Sequence, residues 1–448
     1  MYDEGKKTVF GNLIYMLLWL GGFLLLGYLV YRIGFASVLG EEDEQAETEE
    51  TVIVETEENM FPADNETAEP DSSEISEEPL SEEAEPVEET LSEEEMAEFA
   101  QAAKINELLG ALTTEQKVAQ LFFITPEELT GVETVTAFGN TSVSAYQENP
   151  VGGLIYFADN LKDPDQVREM IENAKNCSQE TVALPLFTGI DEEGGRILRL
   201  AGNAAFSLEA VAPMAELASE GADKVTESAD YIGQYLRDYG FNVDFAPVAD
   251  ISTGEDMIGD RSFGSDPAVV TALDAAYCEG LKRNNILTCY KHFPGHGSVS
   301  EDTHTEAAES PRTLEELRAM EFIPFIDGVT KGTDFIMAGH ISLPQIPETE
   351  GLPASLSEYM LTEVLRNEFG YDGIIITDSL SMGAITEHFS AAEAALKAFQ
   401  AGADMLLMPE DFTAAYEEIL SKVQSGEISE ERLDQSIERI IRAKLKTE

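Results

Sequence analysis

Residues 287–304 read Leu-Thr-Cys-Tyr-Lys-His-Phe-Pro-Gly-His-Gly-Ser-Val-Ser-Glu-Asp-Thr-His and concentrate groups that can do chemistry. Leu287–Tyr290 has the pattern of a short strand, and Lys291 and His292 stand where it would end. Pro294, Gly295 and Gly297 rule out regular structure beyond that point, so 293–304 should form a loop. The stretch from Lys291 onward holds three of the chain's five histidines, together with Glu301 and Asp302. Imidazoles and carboxylates crowded onto a glycine-bearing loop behind an apolar strand mark a candidate reacting centre.

Three kinds of chemistry compete for such a loop. A zinc site would take His292, His296 and His304, with Asp302 as a fourth ligand. That histidine spacing suits a helix, however, and Pro294 and Gly295 interrupt it, so no metal is expected. Serine-hydrolase and nucleotide chemistry lack their signatures, since the chain has neither a Gly-x-Ser-x-Gly elbow nor a Walker loop. Acid–base and nucleophilic work by a carboxylate and an imidazole remains, and glycoside hydrolysis is the reaction class it fits. No cofactor is called for.

The elements that must position these groups follow an alternating pattern. Apolar runs stand at Val118–Ile124, Gly152–Phe157, Leu184–Ile190, Phe241–Val248, Leu287–Tyr290, Asp334–Ala338, Gly373–Thr377 and Asp404–Met408. Most are continuous, as parallel strands buried on both faces require. Helical patterns lie between them, at Asp165–Cys177, Met214–Tyr239, Ala268–Arg283, Thr313–Gly328, Ser357–Phe369 and Ala391–Ala401. The predicted fold class is therefore α/β, a (β/α)8 barrel over 101–448. A doubly wound sheet is the alternative, but no Gly-rich phosphate turn follows the first run. Successive runs close on Asp191, Asp250, Lys291-His292, His340 and Asp378. In a barrel those positions ring the C-terminal face, where catalysis takes place.

Five separated motifs occur in order: Asp191-Glu-Glu-Gly-Gly-Arg196-x-x-Arg199, Gly259-Asp-Arg261-Ser-Phe263, Lys291-His292-Phe-Pro-Gly-His296-Gly, Asp302-x-His304 and Thr377-Asp378-Ser-Leu-Ser-Met382. Together they resemble glycoside hydrolase family 3, specifically its single-barrel β-N-acetylglucosaminidases. The resemblance implies Asp378 as nucleophile of a retaining reaction, with His304 as general acid/base and Asp302 as its dyad partner. It implies that Asp191, Arg199, Arg261, Lys291 and His292 hold the sugar, and that His296 shapes the loop. The family pattern has Gln where Glu192 stands and Ser where Thr303 stands. Many family β-glucosidases take their acid/base from a second domain, whereas here only helical patterns, Thr413–Gln424 and Ser429–Lys446, follow the eighth run. The barrel itself is therefore expected to supply the proton. Expected substrates are terminal β-linked GlcNAc residues of cell-wall or muropeptide fragments, or of other β-GlcNAc glycans. A phosphorylase or a β-glucosidase of the same family is the alternative enzyme, and an inactive wall-binding module the non-enzymatic one.

Composition limits the partners. The 448 residues carry a formal net charge of −60 with 27 basic side chains, which excludes nucleic acid and docking on anionic headgroups. Cys177, Cys278 and Cys289 match no zinc or redox spacing and read as buried thiols. No charge occurs between Lys7 and Arg32, and Leu13–Tyr31 is apolar almost throughout. Residues 13–31 are thus a predicted single-pass transmembrane helix, uncleaved, with 1–12 inside and the catalytic domain outside the cell membrane. Between Glu41 and Ala100 there are 26 acidic residues and no basic one, so 41–91 should be a disordered linker. Ser92-x-x-Glu95 is a capping box that opens a helix marked by Met96, Phe99, Ala103, Leu108 and Leu109.

Overall fold

Parallel strands buried on both faces need cover on each, and in this chain the sheet provides it by closing almost completely on itself. The computed structural model describes residues 92–448, apart from 255, 298 and 300–307. The proposed membrane span, the acidic linker, Asp302 and His304 all lie outside the described residues. No helix among the described residues is long and apolar enough to cross a membrane.

Eight parallel strands form one sheet. In chain order they are β1 (Phe122–Ile124), β2 (Gly153–Ile155), β3 (Phe187–Ile190), β4 (Val243–Asp244), β5 (Leu287–Phe293), β7 (Phe335–Ala338), β9 (Ile374–Thr377) and β10 (Leu406–Leu407). Each pairs with the next, and β10 pairs with β1, Phe122 opposite Leu406. The remaining gap, between β9 and β10, is spanned by the parallel bridge Ile376–Met405 and by Thr377 N–H donating to Met405 O at 3.1 Å. The sheet is thus an almost closed barrel. Two further strands, β6 (Ala308–Glu309) and β8 (Ile341–Ser342), form a small parallel pair of their own.

The barrel is filled by rings. Phe123 stacks on Phe187 with centroids 6.2 Å apart and meets Phe245 edge-on at 5.2 Å; Phe187 in turn meets Phe335 edge-on at 5.3 Å. A Cβ at Gly153 or at Gly189 would come within 2.6 Å of the Phe123 ring, so those glycines make its space. Side chains, not solvent, occupy the interior, as small barrels require. Beneath the strands' N-terminal ends lies helix Glu430–Lys444, whose Lys444 Nζ donates to Gln120 Oε1 at 2.7 Å and sits 5.2 Å from the Phe187 ring.

Several boundaries differ from the sequence reading. Thr113 caps a helix over Thr114–Gln120, with the reciprocal Gln116 bond, so the first strand begins only at Phe122. The fourth and eighth strands keep two residues of ladder each. The fifth strand runs on to Phe293, with a register shift between Lys291 and Phe293. The expected helix Met214–Tyr239 breaks at Gly221, whose φ of +92° suits no other residue, into Met214–Glu220 and Ala222–Tyr239. Thr313–Gly328 likewise divides into Leu314–Ala319 and Phe322–Thr330. The Ser92 capping box is present and opens helix Glu93–Ala111, but Met96 and Phe99 are exposed. The face buried on that helix begins at Ile105.

Candidate active site

The register shift on β5 matters first, because it turns two successive side chains to use. Lys291 and His292 are both buried at the C-terminal end of the barrel, where side chains from β3, β4, β7 and β9 also arrive. Lys291 Nζ donates to Asp191 Oδ1 at 2.8 Å, just beyond β3. It also pairs with Glu193 Oε1 at 2.7 Å. Arg261, on the single 3-10 turn Gly259–Arg261, reaches the same Glu193 through Nε at 2.8 Å and Nη2 at 2.7 Å. Arg199 Nη2 lies 3.7 Å from Asp191 Oδ2, and its guanidinium stands 5.6 Å from the centre of the Phe157 ring. Asp191, Arg199, Arg261 and Lys291, four of the five residues expected to hold the sugar, therefore belong to one network.

Glu193 is the member that sequence reasoning missed. Burial pushes its carboxyl up, but the charges of Lys291 and Arg261 outweigh this and hold it well below the usual carboxylate range. The signal was in the motif: the two glycines after it. Gly194 and Gly195 have φ of +99° and +56°, and a Cβ on Gly195 would sit 2.7 Å from Pro213 Cβ. The tight turn tucks Glu193 inward.

Glu192 does something different. Its carboxylate accepts from the backbone N–H groups of Arg199 (2.5 Å), Leu200 (3.0 Å) and Ala201 (2.9 Å), and from Tyr235 Oη at 3.0 Å. It is fully buried and faces this loop, so the charge beside Asp191 is not a second group in the mouth. Glu192 fixes the segment that carries Arg199. Its own N–H donates to Asp244 Oδ1 at 3.0 Å, inside the barrel.

On the other side, Asp250 organises the histidine segment. Its Oδ2 bonds His292 Nδ1 at 2.7 Å, while Oδ1 accepts the backbone N–H of His292 at 3.2 Å and of His296 at 2.6 Å. Burial pushes the Asp250 carboxyl up, yet the imidazole beside it and these donors hold it below its ordinary value. A carboxylate only accepts, so His292 carries a proton on Nδ1. The His296 ring is buried 6.0 Å from that of His292, in keeping with a loop-shaping role. A Cβ on Gly297 would fall 1.8 Å from Ile251 O, so the backbone at Gly297 lies close against that of Ile251 and Ser252. Among the described residues, no group of three or more His, Cys, Asp or Glu side chains is placed to hold a metal ion.

Asp378 follows β9 directly. Its N–H donates to Ala338 O at 2.8 Å, and its Oδ1 accepts Ser379 N–H at 2.7 Å. His340, expected at the rim, is buried instead: Nδ1 meets Ser355 Oγ at 2.7 Å and Nε2 meets Ser379 O at 2.8 Å. A carbonyl only accepts, so His340 carries its proton on Nε2 and braces the segment that holds Asp378. Burial pushes the Asp378 carboxyl up; His292, His340, the Ser379 N–H and Lys291 more than offset it and keep the group below its usual range. An ionised carboxylate, aimed into a mouth lined by Lys291, Arg261, Arg199 and His292, can act as a nucleophile toward a polyhydroxylated ligand. Asp302 and His304, the acid/base pair expected from the sequence, lie outside the described residues.

Comparison with known proteins agrees with this geometry. Residues 113–443 match the family described as "Glycosyl hydrolase family 3 N terminal domain". The chain is 36% identical over 270 residues to a β-hexosaminidase of Idiomarina loihiensis, covering 59% of this chain and 78% of that protein. It is 31% identical over 320 residues to β-hexosaminidase A of Pseudoalteromonas piscicida, covering 66% of this chain but only 53% of that protein, about half its length. Among solved structures, a glycoside hydrolase family 3 β-N-acetylglucosaminidase from Paenibacillus sp. str. FPU-7 superposes with a TM-score of 0.69 at 35% identity, covering 75% of this chain and 63% of that one.

Proposed function

The chain belongs to glycosyl hydrolase family 3, and from that premise we propose that it is a retaining exo-β-N-acetylglucosaminidase that releases terminal β-linked GlcNAc. The observation that carries this reading is the Asp378 carboxylate, held ionised beyond β9 by His292, His340, the Ser379 N–H and Lys291. In the first step Asp378 attacks the anomeric carbon, and the glycosidic bond breaks as His304 gives a proton to the leaving oxygen. In the second, His304 takes a proton from water, which displaces Asp378 and restores the original configuration. Asp302 orients the His304 ring. Asp191, Arg199, Arg261, Lys291 and His292 bind the hydroxyls of the sugar in the mouth. The roles of Asp302 and His304 rest on their place in the sequence pattern.

The names of the relatives support a hexosaminide substrate, and the sources proposed for such ends are cell-wall or muropeptide fragments or other β-GlcNAc glycans. The apolar segment 13–31 and the acidic run 41–91 support a domain tethered to the outer face of the cell membrane. Comparing kcat/KM for aryl β-GlcNAc and aryl β-glucoside tests the substrate assignment. The GlcNAc substrate should be preferred by at least about tenfold, the scale of one well-placed group in a site. Preference for the glucoside would replace the assignment with a β-glucosidase, and release of a sugar phosphate in phosphate buffer would make the enzyme a phosphorylase.

A further inference from the structure

We propose that Glu193 is a positioning residue of this site: its carboxylate sets the Lys291 ammonium and the Arg261 guanidinium so that their remaining N–H groups face the sugar. The inference deepens the function proposed above and rests on it. It begins with a count of donors. Lys291 Nζ has three, of which Asp191 Oδ1 at 2.8 Å and Glu193 Oε1 at 2.7 Å take two, leaving one. Arg261 has five, and Glu193 takes one on Nε (2.8 Å) and one on Nη2 (2.7 Å). That pair occupies one edge of the planar guanidinium and turns the Nη1 edge outward. The two cations thus present donors on one side and are fixed by one acceptor on the other.

Exposure separates the roles of the two acidic partners. The Asp191 side chain keeps 19% of its surface and can exchange a bond with a hydroxyl. Glu193 keeps 2% and has both oxygens committed, so it does not touch a ligand. Charge gives the second reason. The side chains of Lys291 and Arg261 are only 3% and 16% exposed. Without Glu193 the Lys291 ammonium would keep Asp191 alone, the Arg261 guanidinium would lose both of its bonds, and the two poorly hydrated cations would repel each other. A neutral amide in its place could accept from one of them but would point its own donors at the other.

A double-mutant cycle tests this with Glu193→Gln, Arg261→Gln and the pair, read as kcat/KM on aryl β-GlcNAc. Glu193→Gln should lower kcat/KM by about 10- to 100-fold, the usual cost of removing a buried partner of a site residue. In the Arg261→Gln background the same change should cost at least about threefold less, because one of the groups it acts through is gone. Additive losses would overturn the proposal, since a purely structural glutamate acts equally in both backgrounds. Should Glu193→Gln fail to fold, Glu193→Asp runs the same cycle with the charge kept and the carboxylate withdrawn by one methylene. If the wild-type enzyme prefers another glycoside, the cycle is run on that one. The substrate assignment then fails alone, and the coupling still decides for or against Glu193.

Discussion

Adjacent residues of identical type can serve unrelated ends, and Glu192 and Glu193 show how. One anchors three backbone N–H groups of 199–201, and the other bridges two cations of the mouth. The structure brings Asp191, Arg199, Arg261 and Lys291 into one network and sets His292 beside Asp250, around the end of the barrel where the strands converge. The sequence pattern did not separate the two glutamates, since side-chain direction depends on the positive-φ turn at Gly194-Gly195. The proton donor belongs to this scale too. A free histidine titrates near 6.5, so His304 can be acid in one step and base in the next at neutral pH. General acid catalysis matters most for a poor leaving group. His304→Ala should lower kcat/KM by about 100-fold or more for an alkyl or sugar aglycone, and far less for a nitrophenolate. Equal losses on both would assign the proton to another residue.

At the scale of elements, the existence and order of eight strands were legible, but their lengths were not. Hydrophobic runs such as Phe241–Val248 predict burial, and burial holds for 241–248, although only Val243 and Asp244 lie in the ladder. Apolar composition reports the absence of solvent; pairing depends on where the neighbouring strand bends away. The helix at Thr114–Gln120 was readable from Thr113 and Gln116 and was hidden by the apolar residues that follow. His340 shows the reverse limit. Its position after β7 was right, but whether a rim side chain points to the mouth or props its neighbour depends on the partners Ser355 and Ser379.

For the molecule as a whole, the floor of the barrel sets a pH dependence. Burial lowers the Lys444 amine to about 7, against about 10.4 for a free lysine. Between those values the unfolded chain binds a proton that the native one does not, so stability rises with pH across that window. Below it both states are charged, and the native state bears the full cost of a buried ammonium. Lys444→Met removes this dependence while leaving Gln120 Oε1 without its donor. The difference in Tm between wild type and Lys444→Met should therefore move in favour of the wild type from pH 7 to pH 9. Melting curves that stay parallel over that range would show that the amine is not neutral in the folded protein.

The reaction itself turns on Asp378, and trapping addresses it most directly. A slow 2-deoxy-2-fluoro glycosyl substrate with a good leaving group should accumulate a covalent glycosyl-enzyme. Peptide mass spectrometry should place one label on Asp378 and none on an Asp378→Asn variant, which should also lose turnover while melting as the wild type does. A label on Asp191 or Asp250, or turnover with inversion and no label, would contradict the account.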